Sequence, residues 1–146
     1  MSQYSKSFNK EFIERTKSIL DKYQGNYEVT LLMNCTLALV CLPIEKLKYS
    51  NNYPDLEIVS KISENLKSKF ENSNNISDLS LLKILRNGIA HLNLKFINEE
   101  KKINIVQIKG STFDNDKKIW FTFNFTIPQL KEFINFMVKT YLDYAD

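Results

Sequence analysis

The chain has 146 residues, 43% of them hydrophobic and 25% charged, with only three glycines and three prolines, which excludes disordered, collagen-like and loop-dominated classes. Its rare residues are more selective: one His, one Trp, two Cys, and 20 basic residues of which only Arg15 and Arg86 are arginine. Cys35, Cys41 and His91 cannot furnish the four ligands of a structural zinc, so no metal or cofactor is expected, and a proton carrier working near neutrality must be His91 or a strongly perturbed group.

From Phe8 to Tyr23, apolar residues at Phe8, Phe12, Ile19, Leu20 and Tyr23 recur near helical spacing, with Gly25 as a stop. Asn26 can cap a second helix, YEVTLLMNCTLALVCL, which is apolar on most faces, ends at Pro43 and belongs at the centre of the core. Its run from Val29 to Leu42 falls short of the ~20 residues that span a bilayer. Within it, Cys35 and Cys41 stand about 9 Å apart along the helix axis, too far for a disulfide, and read as reduced, buried thiols. Asn34 reads as a satisfied core amide or as a register contact between two copies. The start, MSQYSKSFNKEF, carries no apolar signal segment, and a cytoplasmic location without membrane contact is expected.

Ser50 to Pro54 is a turn, after which Leu56, Val59, Ile62, Leu66 and Phe70 mark an amphipathic third helix. ENSNNIS breaks it, and Ser77 or Asp78 can cap a fourth helix, DLSLLKILRNGIAH. From Asn93 the period changes to that of strands: Leu94 and Phe96, then Ile103, Ile105 and Ile108, then Trp120, Phe121, Phe123 and Phe125, separated by the turns NEEK and GSTFDNDK. Four aromatics within six residues cannot all face water, so Trp120 and the three Phe read as core or interface packing, with stacking on unpaired bases as the alternative. Thr126 and Gln129 form a capping-box pattern that opens a last helix through Phe133, Phe136, Met137, Tyr141 and Leu142. The expectation is a single domain over 1–146, mainly α, a helical bundle with a three-stranded antiparallel meander at 93–125 before the final helix.

Charge and chemistry coincide in one segment. Residues 77–125 hold eight Lys/Arg against five Asp/Glu, so this stretch carries the whole net charge of +3; a solvated lysine-rich surface or a polyanion site would each account for it. On a regular helix Lys83, Asn87 and His91 share one polar strip, with Asn87 and His91 about 40° apart, whereas Arg86 lies roughly 140° from His91. Gly88 inside the helix costs about 1 kcal/mol relative to Ala and points to close approach of another backbone. A His in the last helical turn also has a purely structural reading, through its interaction with the helix dipole.

The segment LRNGIAHLNLKF, following the helix YEVTLLMNCTLALVCLP, resembles the HEPN superfamily, in particular its short stand-alone bacterial and plasmid-borne members. There a helix carries Arg, then a polar residue, and a His four to six residues further on, a pattern met by Arg86, Asn87 and His91. The resemblance extends over most of the chain, including Asn34, the strands, Trp120 and the closing helix. It implies a helical bundle that dimerises and a metal-independent endoribonuclease acting on RNA where two motifs meet, often as a toxin or antiphage-defence effector with an antitoxin or defence partner. Relatives without the motif are silent modules that bind RNA, a nucleotide or a protein partner, which is the alternative here. Asn93 replaces the Tyr that relatives silenced by adenylylation carry two residues after the His.

The residue chemistry suits such a site. Imidazole can take the proton from a 2'-hydroxyl or give one to the leaving 5'-oxygen, while Arg holds phosphate oxygens bidentately. One His per chain cannot fill both proton roles, so a homodimer is expected. The expected catalytic residues are therefore Arg86, His91 and Asn87, with Asn87 holding the imidazole or the phosphate, and Lys83 and Lys95 as contacts to the RNA backbone.

Overall fold

The computed structural model describes residues 6–23, 28–41, 56–99 and 102–145. The elements are α1 (Lys6–Lys22), α2 (Glu28–Thr36), a π-helical turn (Leu37–Cys41), α3 (Leu56–Lys69), a 3-10 turn (Glu71–Ser73), α4 (Asp78–Ala90), β1 (Leu94–Glu99), β2 (Lys102–Asp114), β3 (Lys117–Thr126) and α5 (Ile127–Ala145). The fold is mainly α, with an antiparallel sheet of order β1-β2-β3 before the last helix, as the hydrophobic periods predict. The expected stops at Gly25 and Pro43, the cap at Asn26 and the turn Ser50 to Pro54 lie outside the described residues, as do Glu100 and Lys101 of the NEEK turn.

The apolar second helix occupies the core: Leu32, Met33, Cys35, Thr36, Leu39, Val40 and Cys41 are all buried. The Thr36 hydroxyl donates to the Leu32 carbonyl at 2.7 Å. That bond competes with the helix ladder, and the winding relaxes from α to π in the next residue. Asn34 faces outward, so it is not a core amide. Cys35 and Cys41 are buried free thiols, and burial pushes the Cys35 thiol up. On α1, Ile13 is buried while Phe12 and Ile19 are exposed.

Alternation sorts the aromatic run of β3. Phe123 and Phe125 are buried and Phe121 half-buried, all edge-on to Phe70 with centroid distances of 5.5, 5.1 and 6.2 Å. Trp120 has the opposite parity and is 50% exposed, so it is not part of this chain's core. The second turn is also shorter than expected. β2 continues through Gly110 to Asp114, and only Asn115 and Asp116, at φ 50° and 67°, form the link to β3. A two-residue hairpin needs such left-handed backbone, which Asn and Asp tolerate.

The capping box at α5 is reciprocal: the Thr126 amide donates to Gln129 Oε1 at 3.0 Å, and the Gln129 amide donates to Thr126 Oγ1 at 3.2 Å. From there Leu130, Phe133, Ile134, Met137, Val138 and Tyr141 are buried as α5 crosses α1, α3 and the sheet. Among the described residues, no helix is long and apolar enough to cross a membrane.

Candidate active site

α4 carries the motif, and its position is set at both ends and in the middle. Ser77 caps it, with its hydroxyl accepting from the Ser80 amide at 3.4 Å. Asp78, in the first turn, pairs with Lys67 of α3 at 2.9 Å. The hydrogen bond from Lys67 holds the Asp78 carboxyl below the usual carboxylate range.

The middle of α4 lies directly on β2. A Cβ on Gly88 would stand 2.8 Å from both Ile108 Cγ2 and the Lys109 carbonyl oxygen, and one on Gly110 would stand 1.9 Å from the Ile84 carbonyl oxygen. The two glycines therefore face each other across a helix-on-strand contact that no larger pair allows. This is the close approach that Gly88 signals in the sequence.

β2 outruns β1 at this contact. The last paired residues are Leu94 and Ile108, which leaves the edge of β2 beyond Ile108 without a strand neighbour. Backbone groups two residues apart on a strand point the same way. The Lys109 amide donates to the Asn93 carbonyl at 3.0 Å, and two residues on, the Ser111 carbonyl accepts from Asn87 Nδ2 at 2.9 Å. The Asn87 amide thus takes the place of the next rung. Its oxygen accepts from Arg86 Nη1 at 2.9 Å. With a carbonyl on one side and a guanidinium on the other, only one orientation of the amide satisfies both. The Arg86 carbonyl in turn accepts from the Cys41 thiol at 3.7 Å, which ties the motif to the buried π turn.

His91 is not on the helix proper. It is the C-cap, with φ −90° and ψ 5°, and its amide still donates to the Asn87 carbonyl. The Leu92 amide bonds the Ile89 carbonyl at 3.1 Å and the Asn93 amide bonds the Gly88 carbonyl at 2.9 Å, a double closure that ends the helix. Such a closure needs left-handed backbone after the cap, and Leu92 provides it at φ 56° while 67% exposed. The imidazole of His91 is exposed, and no described residue hydrogen-bonds it. The Asn87 amide is engaged on both sides, by Ser111 and by Arg86, so the contact the structure gives it is to Arg86.

The structure brings Arg86 and Asn87 together and leaves His91 one turn further on, facing solvent. Lys83 is half-buried on α4, and Lys95 is exposed on β1 opposite Gln107. Ser111 escaped sequence reasoning because it fell in the presumed long turn; the Asn115-Asp116 pair was the signal that could have moved it into a strand. Among the described residues, no three His, Cys, Asp or Glu side chains gather into a group that could hold a metal ion.

A family model described as HEPN pEK499 p136 matches residues 1–146. Comparison with curated proteins and with solved structures returns no match.

Proposed function

The chain belongs to the HEPN pEK499 p136 family, and from that premise we propose that it is a metal-independent endoribonuclease whose active unit is a homodimer. The observation that carries this reading is the relay from Ser111 through Asn87 to Arg86, which orients a permanent cation on the helix that ends at the chain's single His. Pre-orienting a guanidinium is of most use when it must meet negative charge that develops during a reaction.

The reaction needs two proton transfers and one charge stabilisation. One His91 accepts the proton of the substrate's 2'-hydroxyl as that oxygen attacks the adjacent phosphorus. Arg86 pairs with the phosphate oxygens as the phosphorane forms, and His91 of the second copy donates a proton to the departing 5'-oxygen. The P–O5' bond breaks, leaving a 2',3'-cyclic phosphate and a 5'-hydroxyl. Asn87 positions Arg86, and Lys83 and Lys95 neutralise flanking phosphates. The purified protein should cleave RNA in the presence of EDTA and lose cleavage on His91→Ala. Abolition by EDTA, or an unaltered rate in His91→Ala, overturns the mechanism.

A second reading rests on the exposed imidazole, which no described residue orients. It is a silent HEPN module that binds RNA, a nucleotide or a protein partner. Binding without cleavage of any RNA distinguishes it. The role suggested by the nuclease reading is that of a toxin or antiphage-defence effector in the cytoplasm, held in check by a neutralising or defence partner. Its test is growth arrest on bacterial expression that His91→Ala or Arg86→Ala relieves.

A further inference from the structure

The sheet has two faces of opposite character. Inward, Val106, Ile108, Phe123 and Phe125 are buried beneath α4 and α5. Outward, the same ladders present Lys95 opposite Gln107, Gln107 opposite Asn124, Lys109 opposite Thr122, Ser111 opposite Trp120, and Phe113 opposite Lys118. Phe113 is 69% exposed, Trp120 is half exposed, and Lys95, Lys109 and Lys118 are all exposed. No carboxylate stands among these outward positions. The ammonium groups lie against the rings: Lys118 is 4.8 Å from the Trp120 centroid and 5.9 Å from Phe113, and Lys109 is 5.2 Å from Trp120.

We propose that this outward face is a binding platform for unpaired RNA, with Trp120 and Phe113 stacking bases and Lys95, Lys109 and Lys118 holding phosphates. The charge argument selects the occupant. Three lysines without a carboxylate call for a polyanion, and two exposed rings on diagonal positions of one hairpin call for flat apolar surfaces between its charges. Single-stranded RNA supplies both at once, whereas a duplex hides its bases. The lysines that rest on the rings need only turn to a phosphate to free them, because a stacked base is worth more to an exposed ring than an exposed ammonium is.

The platform is also joined to the motif. β2 is pinned to the end of α4 at Lys109 and Ser111 through Asn93 and Asn87, and Ser111 is the direct cross-strand partner of Trp120. The edge of the platform at Lys109 and Ser111 is therefore the edge to which the motif helix is bonded. This inference deepens the ribonuclease reading and supplies its substrate class, RNA with unpaired nucleotides.

Trp120 is the chain's only Trp, so its fluorescence reports on this face alone. The probe is a 12-nucleotide 2'-O-methyl oligouridylate, which lacks the attacking hydroxyl and cannot be cleaved, so binding is tested apart from catalysis. The expected result is saturable quenching, with affinity for a duplex of the same length at least tenfold weaker. Measured by anisotropy of a labelled probe, Trp120→Ala and Phe113→Ala should each weaken binding about fivefold or more. The double variant Lys109→Gln, Lys118→Gln should flatten the log–log salt dependence by about 1.4. Unchanged affinity in Trp120→Ala, or equal affinity for the duplex, overturns the proposal. So does a Trp120→Ala variant that dissociates a dimer in sedimentation while binding the probe normally, since the face would then be a contact between copies.

Discussion

Asn87 donates its side-chain amide to the backbone carbonyl of Ser111, 24 residues further along the chain, at 2.9 Å, and so continues the edge of β2 where β1 has ended. The same amide accepts from Arg86. A single side chain therefore closes a backbone gap and orients the motif's cation.

Asn87→Ala should then fail in two ways. Loss of the half-buried bond to Ser111 costs about 1–2 kcal/mol of stability, read as a shift in the urea midpoint. RNA cleavage should fall about tenfold or more beyond what that destabilisation explains, because Arg86 loses its orienting partner. Asn87→Asp, which keeps the acceptor for Arg86 and loses the donor to Ser111, should retain more cleavage than Asn87→Ala.

The glycine contact gives a graded pair. Gly88→Ala gains about 1 kcal/mol of helix propensity but places a methyl 2.8 Å from the Lys109 carbonyl oxygen and Ile108 Cγ2, for a net loss of about 1–2 kcal/mol. Gly110→Ala meets the Ile84 carbonyl oxygen at 1.9 Å, where only backbone movement can relieve it. Thermal unfolding should rank the parent above Gly88→Ala and Gly88→Ala above Gly110→Ala. Equal melting temperatures for the two variants would contradict the contact.

Leu92 predicts a gain. Its left-handed backbone costs an L side chain about 1–2 kcal/mol, and its exposed side chain contributes little packing in return. Leu92→Gly should stabilise the chain by about 0.5–1 kcal/mol after the added freedom of the unfolded state is counted. Leu92→Val should destabilise it, since a β-branched residue tolerates this backbone least.

The Lys67–Asp78 pair links stability to pH. The folded carboxyl is held below its unfolded value, so its contribution is fully present above the unfolded pKa of ~3.9 and is lost as pH falls through the lower folded value. Because both side chains retain solvent access, the contribution is about 1 kcal/mol or less. Asp78→Asn should lower the melting temperature at pH 7 and cease to differ from the parent in strong acid. A difference that persists undiminished there would assign the effect to helix capping alone.

The sequence by itself determined the elements, because they follow from local rules. The 3.6-residue period located the helices, Ser77 and the Thr126-Gln129 pair marked two helix starts through bonds within one turn, and the change to period two at Asn93 located the sheet. It also singled out Arg86, Asn87 and His91 by type and spacing. Only the tertiary structure decided what these residues do to one another. That Asn87 serves Arg86 through Ser111 depends on β2 outrunning β1, a property of strand register between distant segments. That the helix ends at His91 depends on the closure by Leu92 and Asn93, and that Trp120 faces water depends on parity in a hairpin whose turn is two residues long. Spacing along a chain fixes neighbours within one element, whereas the pairing of distant segments is set by which faces must be buried together.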